Sequence, residues 1–198
     1  MSGKSIPRLV RASVMAAVAL TLAACATPDP LGSLGTGDAA HHAVMRTGRF
    51  AVQVVQADGK QDAVQGGFAW RDEGSRLRLD LSTPMGATLA RIDANPAQAR
   101  LTRSDGSVEL AEDPDALARR VLGADVPVSG LRAWLQGRPL PGLPVEGARH
   151  DAAGRLVWFE QDGWQVALER YREDGTPGLV RLSRQAADRR VSVRLVMS

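Results

Sequence analysis

The stretch Arg76-Leu-Arg-Leu-Asp-Leu-Ser82 places three leucines, at 77, 79 and 81, between charged or polar neighbours. Successive side chains of a β-strand point to opposite faces, so this period of two predicts a strand with one apolar face and one polar face. Two earlier stretches share the pattern, with apolar side chains at Phe50, Val52 and Val54 and at Phe68 and Trp70. The chain therefore begins as a series of half-buried strands.

Short strands are also predicted along the rest of the chain, at 87–93, 97–103, 107–110, 146–150, 155–161, 164–171, 179–184 and 190–197. Asp-Gly pairs, typical of tight hairpin turns, stand at 58–59, 105–106, 162–163 and 174–175. About eleven short strands joined by such turns indicate one antiparallel sheet. A sheet of that many strands curls toward a barrel, so the fold class is mainly β.

A small helical insert interrupts the strands. Asp113-Pro114-Asp115 is a good helix start, and the helix continues through Ala116–Leu122 to a stop at Gly123. A second helix is predicted over 129–136, and a third over 38–46. These helices are expected to cover the open end or the concave face of the sheet.

The first 24 residues read as a bacterial lipoprotein signal peptide. Lys4, Arg8 and Arg11 precede an uncharged run over 12–24, whose thirteen residues span about 20 Å as a helix, too short for a membrane core of about 30 Å. The run ends Leu22-Ala-Ala-Cys25, a lipobox. Cys25 is therefore the expected site of acylation. The alternatives are a plain signal peptide with an incidental cysteine, or an ordinary N-terminal helix.

Acylation of Cys25 predicts a lipid-anchored protein outside the cytoplasm, because two or three acyl chains suffice for stable anchoring. Ala26 after the cysteine favours the outer membrane. Residues 25–40, rich in Pro, Gly and small polar residues, are predicted to be a flexible tether. Residues 41–198 then form a single domain.

The charge balance changes once the signal peptide is removed. The 198-residue chain has 25 Lys+Arg and 22 Asp+Glu. Three of the basic residues belong to the signal peptide, so 22 basic and 22 acidic residues remain. With no basic surplus, the sequence does not favour binding to nucleic acid.

No catalytic constellation is recognisable. The three histidines are His41 and His42, beside the tether, and His150, before a turn. No serine occupies a nucleophile elbow, and the single cysteine is assigned to acylation. We expect no enzymatic activity, no cofactor and no metal site.

Two kinds of apolar feature each allow two interpretations from the residues alone. The four tryptophans, Trp70, Trp134, Trp158 and Trp164, fit either an ordinary core or the lining of a cavity. Met85 stands at the tip of the Pro84-Met85-Gly86 turn. It either folds back onto the sheet or protrudes as a finger that touches a membrane or a partner.

Taken together, the motifs resemble the LolB family, outer-membrane receptors that insert lipoproteins in Gram-negative bacteria. The likeness extends from about residue 48 to the C-terminus, and the lipobox agrees with it. The segments that carry it are Gly67-Phe-Ala-Trp70, Leu79-Asp-Leu-Ser-Thr-Pro-Met-Gly86, Val126-Pro-Val-Ser-Gly-Leu-Arg-Ala-Trp-Leu-Gln-Gly137, Gln161-Asp-Gly-Trp164 and the alternating strand 191–197.

The resemblance implies an incomplete, unclosed antiparallel barrel of eleven strands with helices as a lid over a hydrophobic cavity. It also implies a monomeric receptor that accepts acylated lipoproteins from a LolA-like periplasmic carrier. The receptor then passes them into the phospholipid of the inner leaflet of the outer membrane. The other reading of the sequence is an outer-membrane lipoprotein scaffold whose solid β core binds another envelope protein.

The resemblance also assigns roles to individual residues. The exposed leucine that the family uses for membrane insertion falls on Met85, within Pro84-Met85-Gly86. The residues predicted to line the acyl-chain cavity are Phe68, Trp70, Leu79, Leu81, Trp134 and Trp164. One departure is the C-terminus, where family members often have a tryptophan and this chain ends Leu195-Val-Met-Ser198.

Overall fold

The structure is a computed structural model that describes residues 43–198. The predicted signal peptide, Cys25, the tether, His41 and His42 lie outside the described residues. The strands are β1 (Val44–Gln56), β2 (Gln61–Asp72), β3 (Leu77–Ser82), β4 (Thr88–Ala94), β5 (Ala99–Arg103), β6 (Val108–Ala111), β7 (Glu146–His150), β8 (Leu156–Gln161), β9 (Trp164–Glu169), β10 (Leu179–Gln185) and β11 (Arg189–Met197). The helices are α1 (Pro114–Leu122) and α2 (Val128–Trp134).

All eleven strands belong to one antiparallel sheet, in the order β6-β5-β4-β3-β2-β1-β11-β10-β9-β8-β7. Neighbours in space are neighbours in sequence except where β1 pairs with β11, bringing Phe50 opposite Leu195. β6 and β7 are the two edges of the sheet and are not paired with each other. The prediction of an unclosed antiparallel barrel of about eleven strands is confirmed.

The helix considered over 38–46 is wrong for the residues that the structure describes. Residues 44–46 belong to β1, where Val44 pairs with Asp72 and Arg46 with Trp70. Local sequence signals at 38–46 are weak, and pairing with a strand more than 20 residues away decides the conformation. The remainder of that segment, 38–42, lies outside the described residues.

The predicted helical insert is present between β6 and β7. The Asp113 side chain caps α1 by accepting a hydrogen bond from the Ala116 N–H at 2.8 Å, and Gly123 ends the helix with a φ of 69°. α2 ends at Trp134, two residues earlier than predicted. The Gly137 N–H donates to the Trp134 carbonyl oxygen at 3.0 Å in the turn that follows.

The core lies between the concave face of the sheet and the two helices. The alternation that predicted β3 is visible in its burial, because Leu77, Leu79 and Leu81 are buried whereas Arg78 is exposed. On the outer face, charges pair across strands, with Arg78 bound to Asp93 and Arg91 to Asp80. The polar face of the predicted strands is thus the convex surface.

Candidate functional site

A small apolar void lies between the concave face of the sheet and the helical insert. Its volume is about 30 Å³. Eight of its lining residues come from four neighbouring strands: Phe50, Val52, Phe68, Trp70, Leu79, Leu81, Val193 and Leu195. The others come from the insert: Leu122, Val126, Val128, Leu131 and Leu135. No charged or polar atom faces it, so the only chemistry this space offers is apolar contact.

The void is far too small for a lipid in this conformation. Pockets that bind drug-sized ligands have volumes of about 300–1,000 Å³. Because the insert supplies one wall and the sheet supplies the other, displacing α1 and α2 from the sheet enlarges the space without breaking any strand pairing. The two helices therefore act as a closed lid over an apolar surface, which agrees with the architecture that the resemblance implies.

An ion pair holds α2 to the sheet. The Arg132 side chain donates from Nε to Asp72 Oδ2 at 2.9 Å and from Nη2 to Asp72 Oδ1 at 2.6 Å. Arg132 Nη2 also donates to the Gly74 carbonyl oxygen. The Asp72 side chain is buried, whereas that of Arg132 is 34% exposed. This bidentate contact at the end of β2 fixes one end of the lid.

A second contact ties the two helices of the lid together. Asp115 Oδ1, in the first turn of α1, accepts hydrogen bonds from the Ser129 N–H at 2.8 Å and from the Ser129 hydroxyl at 3.0 Å. Burial raises the pKa of Asp115, and repulsion from Asp113 and Asp162 adds to the increase, while the Ser129 hydrogen bonds oppose it. The charged form of Asp115 is therefore disfavoured where the two helices of the lid meet.

Four of the six residues predicted to line the cavity lie together around the void: Phe68, Trp70, Leu79 and Leu81. Trp134 and Trp164 are buried but do not line it. The Trp134 indole donates to Gln161 Oε1 at 2.9 Å and packs edge-on against Phe159 with the ring centroids 6.2 Å apart. The guanidinium of Arg184 lies 5.8 Å from the centroid of the Trp164 ring.

The sequence did not single out the lining residues of β1 and β11. The sequence marks Phe50 and Val52 only as one face of a strand, and Val193 and Leu195 only as part of an alternating C-terminal stretch. They meet at the void because β1 pairs with β11, as in Phe50 opposite Leu195 and Val52 opposite Val193. Alternation was the available signal, but it marks a buried face and not a cavity.

The Pro84-Met85-Gly86 turn connects β3 to β4. The Gly86 N–H donates to the Thr83 carbonyl oxygen at 2.9 Å, the Thr83 N–H donates to the Ala87 carbonyl oxygen at 2.8 Å, and Gly86 has a φ of 89°. The Met85 side chain is 94% exposed. It does not fold back onto the sheet, which was one of the two possibilities that the sequence left open.

An open groove of about 460 Å³ on the convex face runs along the base of this turn. Arg49 and Arg194 line it together with Pro84, Gly86 and the strand residue Gly67. Among residues 43–198, no ion pair involves Arg49 or Arg194. The groove at the base of the turn therefore carries two arginines that form no ion pair with an acidic side chain of the described region.

The other residues considered for catalysis, metal binding or ligand binding do not form a common site in the described region. Residues 43–198 contain no group of three or more His, Cys, Asp or Glu side chains placed to hold a metal ion. His150 is exposed on β7. Trp158 lies on the convex face, where the Arg149 guanidinium stands 4.7 Å from its ring centroid. Within the described part of the chain, no helix is both long enough and apolar enough to span a bilayer.

Comparison with known proteins identifies the family. The family model described as outer membrane lipoprotein LolB matches residues 43–198. An outer-membrane lipoprotein LolB of Bordetella petrii is 48% identical over 190 residues, covering 96% of this chain and 92% of the relative. That of Bordetella pertussis is 46% identical over 196 residues, covering 98% and 96%, and that of Cupriavidus pinatubonensis is 37% identical over 188 residues, covering 90% and 88%.

Among solved structures, a LolA superfamily protein from Nitrosomonas europaea is similar with a TM-score of 0.45 and 8% sequence identity, covering 78% of this chain and 84% of that one. The family match spans the whole described domain, and the relatives are similar over nearly the full chain. The resemblance drawn from the sequence motifs is confirmed: this chain belongs to the LolB family of outer-membrane lipoproteins.

Proposed function

We propose that the protein receives the acyl chains of lipoproteins between its sheet and its lid and delivers them to the outer membrane. The observation that carries this proposal is the wholly uncharged lining of the space under α1 and α2, supplied by thirteen residues. Family membership favours a receptor over a scaffold with a solid core. The donor is a LolA-like periplasmic carrier, and the cargo is an acylated lipoprotein.

The physical need for such a device follows from the cost of exposing acyl chains to water. At about 0.8 kcal/mol per CH₂, a sixteen-carbon chain in water costs on the order of 10 kcal/mol. Transfer from one apolar cavity to another avoids most of that cost. The step requires only that the lid move away from the sheet and that each successive site bind the chains more tightly. It needs no catalysis and no cofactor.

The Pro84-Met85-Gly86 turn is the proposed contact with the membrane. A methionine side chain gains only about 1.5–3 kcal/mol on burial, enough to disturb a bilayer but not to hold a protein there. In this proposal Arg49 and Arg194, which line the groove at the base of the turn, contact phosphate groups of phospholipids while Met85 enters the acyl region. The anchor itself is the acylated Cys25, and the tether 25–40 gives the domain its reach.

One chain supplies every wall of the space and also the exposed turn, so we propose that the protein acts as a monomer. Residues 1–24 are the proposed signal peptide and 41–198 the proposed lipid-binding domain. Trp134 and Trp164 remain predicted cavity residues, to be reached by an acyl chain only after the lid has moved.

The test of the membrane contact is Met85→Glu in the mature lipoprotein. Acceptance of a lipoprotein from the carrier should stay near the wild-type level, while its transfer into liposomes should fall at least tenfold, because a charge at the tip opposes entry into the bilayer. The matched control is Met45→Glu, which makes the same change at a methionine that is 60% exposed at the start of β1. Normal transfer by the Met85 variant contradicts the proposed role.

The test of acyl binding is saturable, competable binding of a fluorescent sixteen-carbon fatty acid to the mature protein. The affinity for this fatty acid should also change in the Arg132→Met variant, in which one end of the lid is released from the sheet. Absence of saturable binding in the wild type contradicts the receptor mechanism itself.

A further inference from the structure

A second open groove, of about 480 Å³, lies on the convex face and adjoins the groove at the base of the Pro84-Met85-Gly86 turn. Ala51 and Arg194 line both of them, so the two grooves form one continuous depression, which we call the convex groove. The second part reaches Trp158 on β8. The convex groove therefore extends from the base of the exposed methionine turn across the outer face of the sheet.

The register of the strands brings arginines together in the convex groove. Arg181 on β10 lies directly opposite Arg194 on β11, and Arg194 in turn lies opposite Ala51 on β1. Arg49, two residues before Ala51 on the same face of β1, is the diagonal neighbour of Arg194. Like charges directly opposed across two strands destabilise a sheet. An anion that binds between these arginines would remove that repulsion.

The described residues supply little negative charge to this cluster. None of the described side chains that line the convex groove is acidic. Arg181 Nε lies 3.5 Å from Glu169 Oε1, and the two side chains are 54% and 40% exposed, so this ion pair contributes little. Arg49 and Arg194 form no ion pair within residues 43–198. The charge of the cluster is thus available to a ligand.

Neutral hydrogen-bonding side chains lie beside the arginines in the groove. They form a row of opposed residues across four strands: Gln165, Ser183, Ser192 and Gln53. A guanidinium binds a phosphate through two parallel hydrogen bonds, whereas amide and hydroxyl groups bind uncharged hydroxyls. A phosphodiester with a hydroxyl-bearing substituent matches this arrangement. A substituent that carries a cation, such as choline, would be repelled by the arginines.

We propose that the convex groove binds the headgroup of an anionic phospholipid of the membrane. Arg194 and its neighbours Arg49 and Arg181 hold the phosphate, and the serines and glutamines of the row hold the headgroup hydroxyls. The inference deepens the proposed membrane contact and rests on it. Continuity of the groove with the Pro84-Met85-Gly86 turn favours a lipid over an acidic peptide. With this part of the convex face at the bilayer, the lid on the concave face stays free to meet a carrier.

The test uses the mature lipoprotein anchored in phosphatidylcholine vesicles, with and without phosphatidylglycerol. A lipid with a spin-labelled headgroup quenches tryptophans that reach the bilayer surface. Trp158 is the reporter, because it lines the convex groove, whereas the other three tryptophans are 3% exposed or less. Phosphatidylglycerol should raise the quenching about twofold or more, because an anionic surface attracts arginines. Salt at about 1 M should abolish the increase by screening.

Arg194→Gln removes the central guanidinium of the cluster. It should lower the ratio of domains that lie on the bilayer to domains that do not by about fivefold, the usual contribution of one arginine at an anionic surface. Arg100→Gln is the matched control, because it removes the same charge from an exposed arginine of β5 outside the convex groove. The control should change the ratio by less than about twofold.

A stability measurement separates lipid binding from a structural role. Because Arg194 opposes Arg181, Arg194→Gln should leave the free energy of unfolding unchanged or raise it. Loss of membrane binding together with loss of stability would assign Arg194 to the fold and overturn the site.

The other outcomes distinguish this inference from the proposed function. Equal loss of membrane binding in Arg194→Gln and Arg100→Gln would show that only net charge matters, which overturns the site. If phosphatidylglycerol has no effect on the wild type while lipoprotein transfer still depends on Met85, the headgroup site fails and the proposed function stands. A wild type that transfers no lipoprotein into either kind of vesicle contradicts the proposed function itself. Binding of a polyglutamate peptide that is lost in Arg194→Gln, without any effect of phosphatidylglycerol, would make the groove a protein-binding site and overturn the lipid proposal.

Discussion

The space under the lid and the Pro84-Met85-Gly86 turn present apolar side chains in opposite ways. The lining residues Leu79 and Leu81 are 6% and 3% exposed, whereas Met85 is 94% exposed. Burial of the first set stabilises the fold, so function there requires that part of the core be opened. The exposed Met85 side chain does not stabilise the folded protein in water. Its apolar surface is buried only when it contacts another surface. Opening the space under the lid therefore lowers the stability of the fold, whereas contact of the turn with another surface does not.

The largest effect on stability is expected from Trp134→Ala. This side chain is 1% exposed, packs edge-on against Phe159 and donates to Gln161. Its removal should lower the free energy of unfolding by about 4 kcal/mol, measured by denaturant titration. Because Trp134 is a predicted cavity residue that an acyl chain reaches once the lid has moved, fatty-acid uptake should also fall at temperatures where the variant is folded. Normal uptake by the folded variant would instead assign Trp134 to core packing alone.

A smaller effect is expected from Arg132→Met, which leaves the buried Asp72 carboxylate without its cation. Because the Arg132 side chain is 34% exposed, the loss should be about 2 kcal/mol, below that of a fully buried pair. Fatty acid should also enter faster, because the lid is released at one end. Arg78→Met breaks the exposed pair with Asp93 and is the matched control, with an expected loss under about 1 kcal/mol. Equal losses of unfolding free energy in the two variants would show that the Arg132–Asp72 contact contributes no more than an exposed ion pair.

A pH-dependent effect is expected from Asp115, where the lid helices meet. Its native pKa is raised above the ordinary 3.8, so the folded state binds this proton more tightly than the unfolded state does. Stability from this group is therefore greatest at low pH and falls as the pH rises from 3.8 through the raised native value. Asp115→Asn keeps an oxygen acceptor for Ser129 and removes that slope. Denaturant titrations across this pH range measure the slope of stability against pH. An identical slope in the variant would show that Asp115 is not its source.

The smallest effect on stability is expected from Met85→Glu. With its side chain outside the core, the substitution should change the free energy of unfolding by less than about 0.5 kcal/mol. Thermal or denaturant unfolding measures this on the same preparation used for the transfer assay. A loss above about 1 kcal/mol would mean that Met85 packs against the domain in solution, and the difference between the two regions would then disappear.

Much of the sheet was predictable from local pattern. The alternation of Arg76–Ser82 and the Asp-Gly turns indicated the strands, and the Asp113-Pro114 start and Gly123 stop indicated α1. These signals are local, since they depend on where neighbouring side chains point and on which residues tolerate a turn. The helix predicted over 38–46 was wrong at residues 44–46. Val44 pairs there with Asp72, which is distant in the chain, and a local pattern does not show such a pairing.

The candidate site was predictable only in part. Pro84 and Gly86 specified the turn, so the sequence placed Met85 at its tip, and the motifs indicated Phe68, Trp70, Leu79 and Leu81 as interior residues. The sequence could not distinguish Trp70, which lines the void, from Trp134, which packs behind it, because both occupy apolar positions in regular elements. Nor could it show that Arg181 and Arg194 are directly opposed, since register is a property of two strands.

By itself, then, the sequence determined the period of each strand, the position of the turns and the helical insert, because these follow from interactions among residues close in the chain. Only the tertiary structure decided that β1 pairs with β11, that α1 and α2 close over the concave face, and that a void of about 30 Å³ remains beneath them. Those features depend on how surfaces distant in sequence fit together, and periodicity marks which face is buried but not what it is buried against.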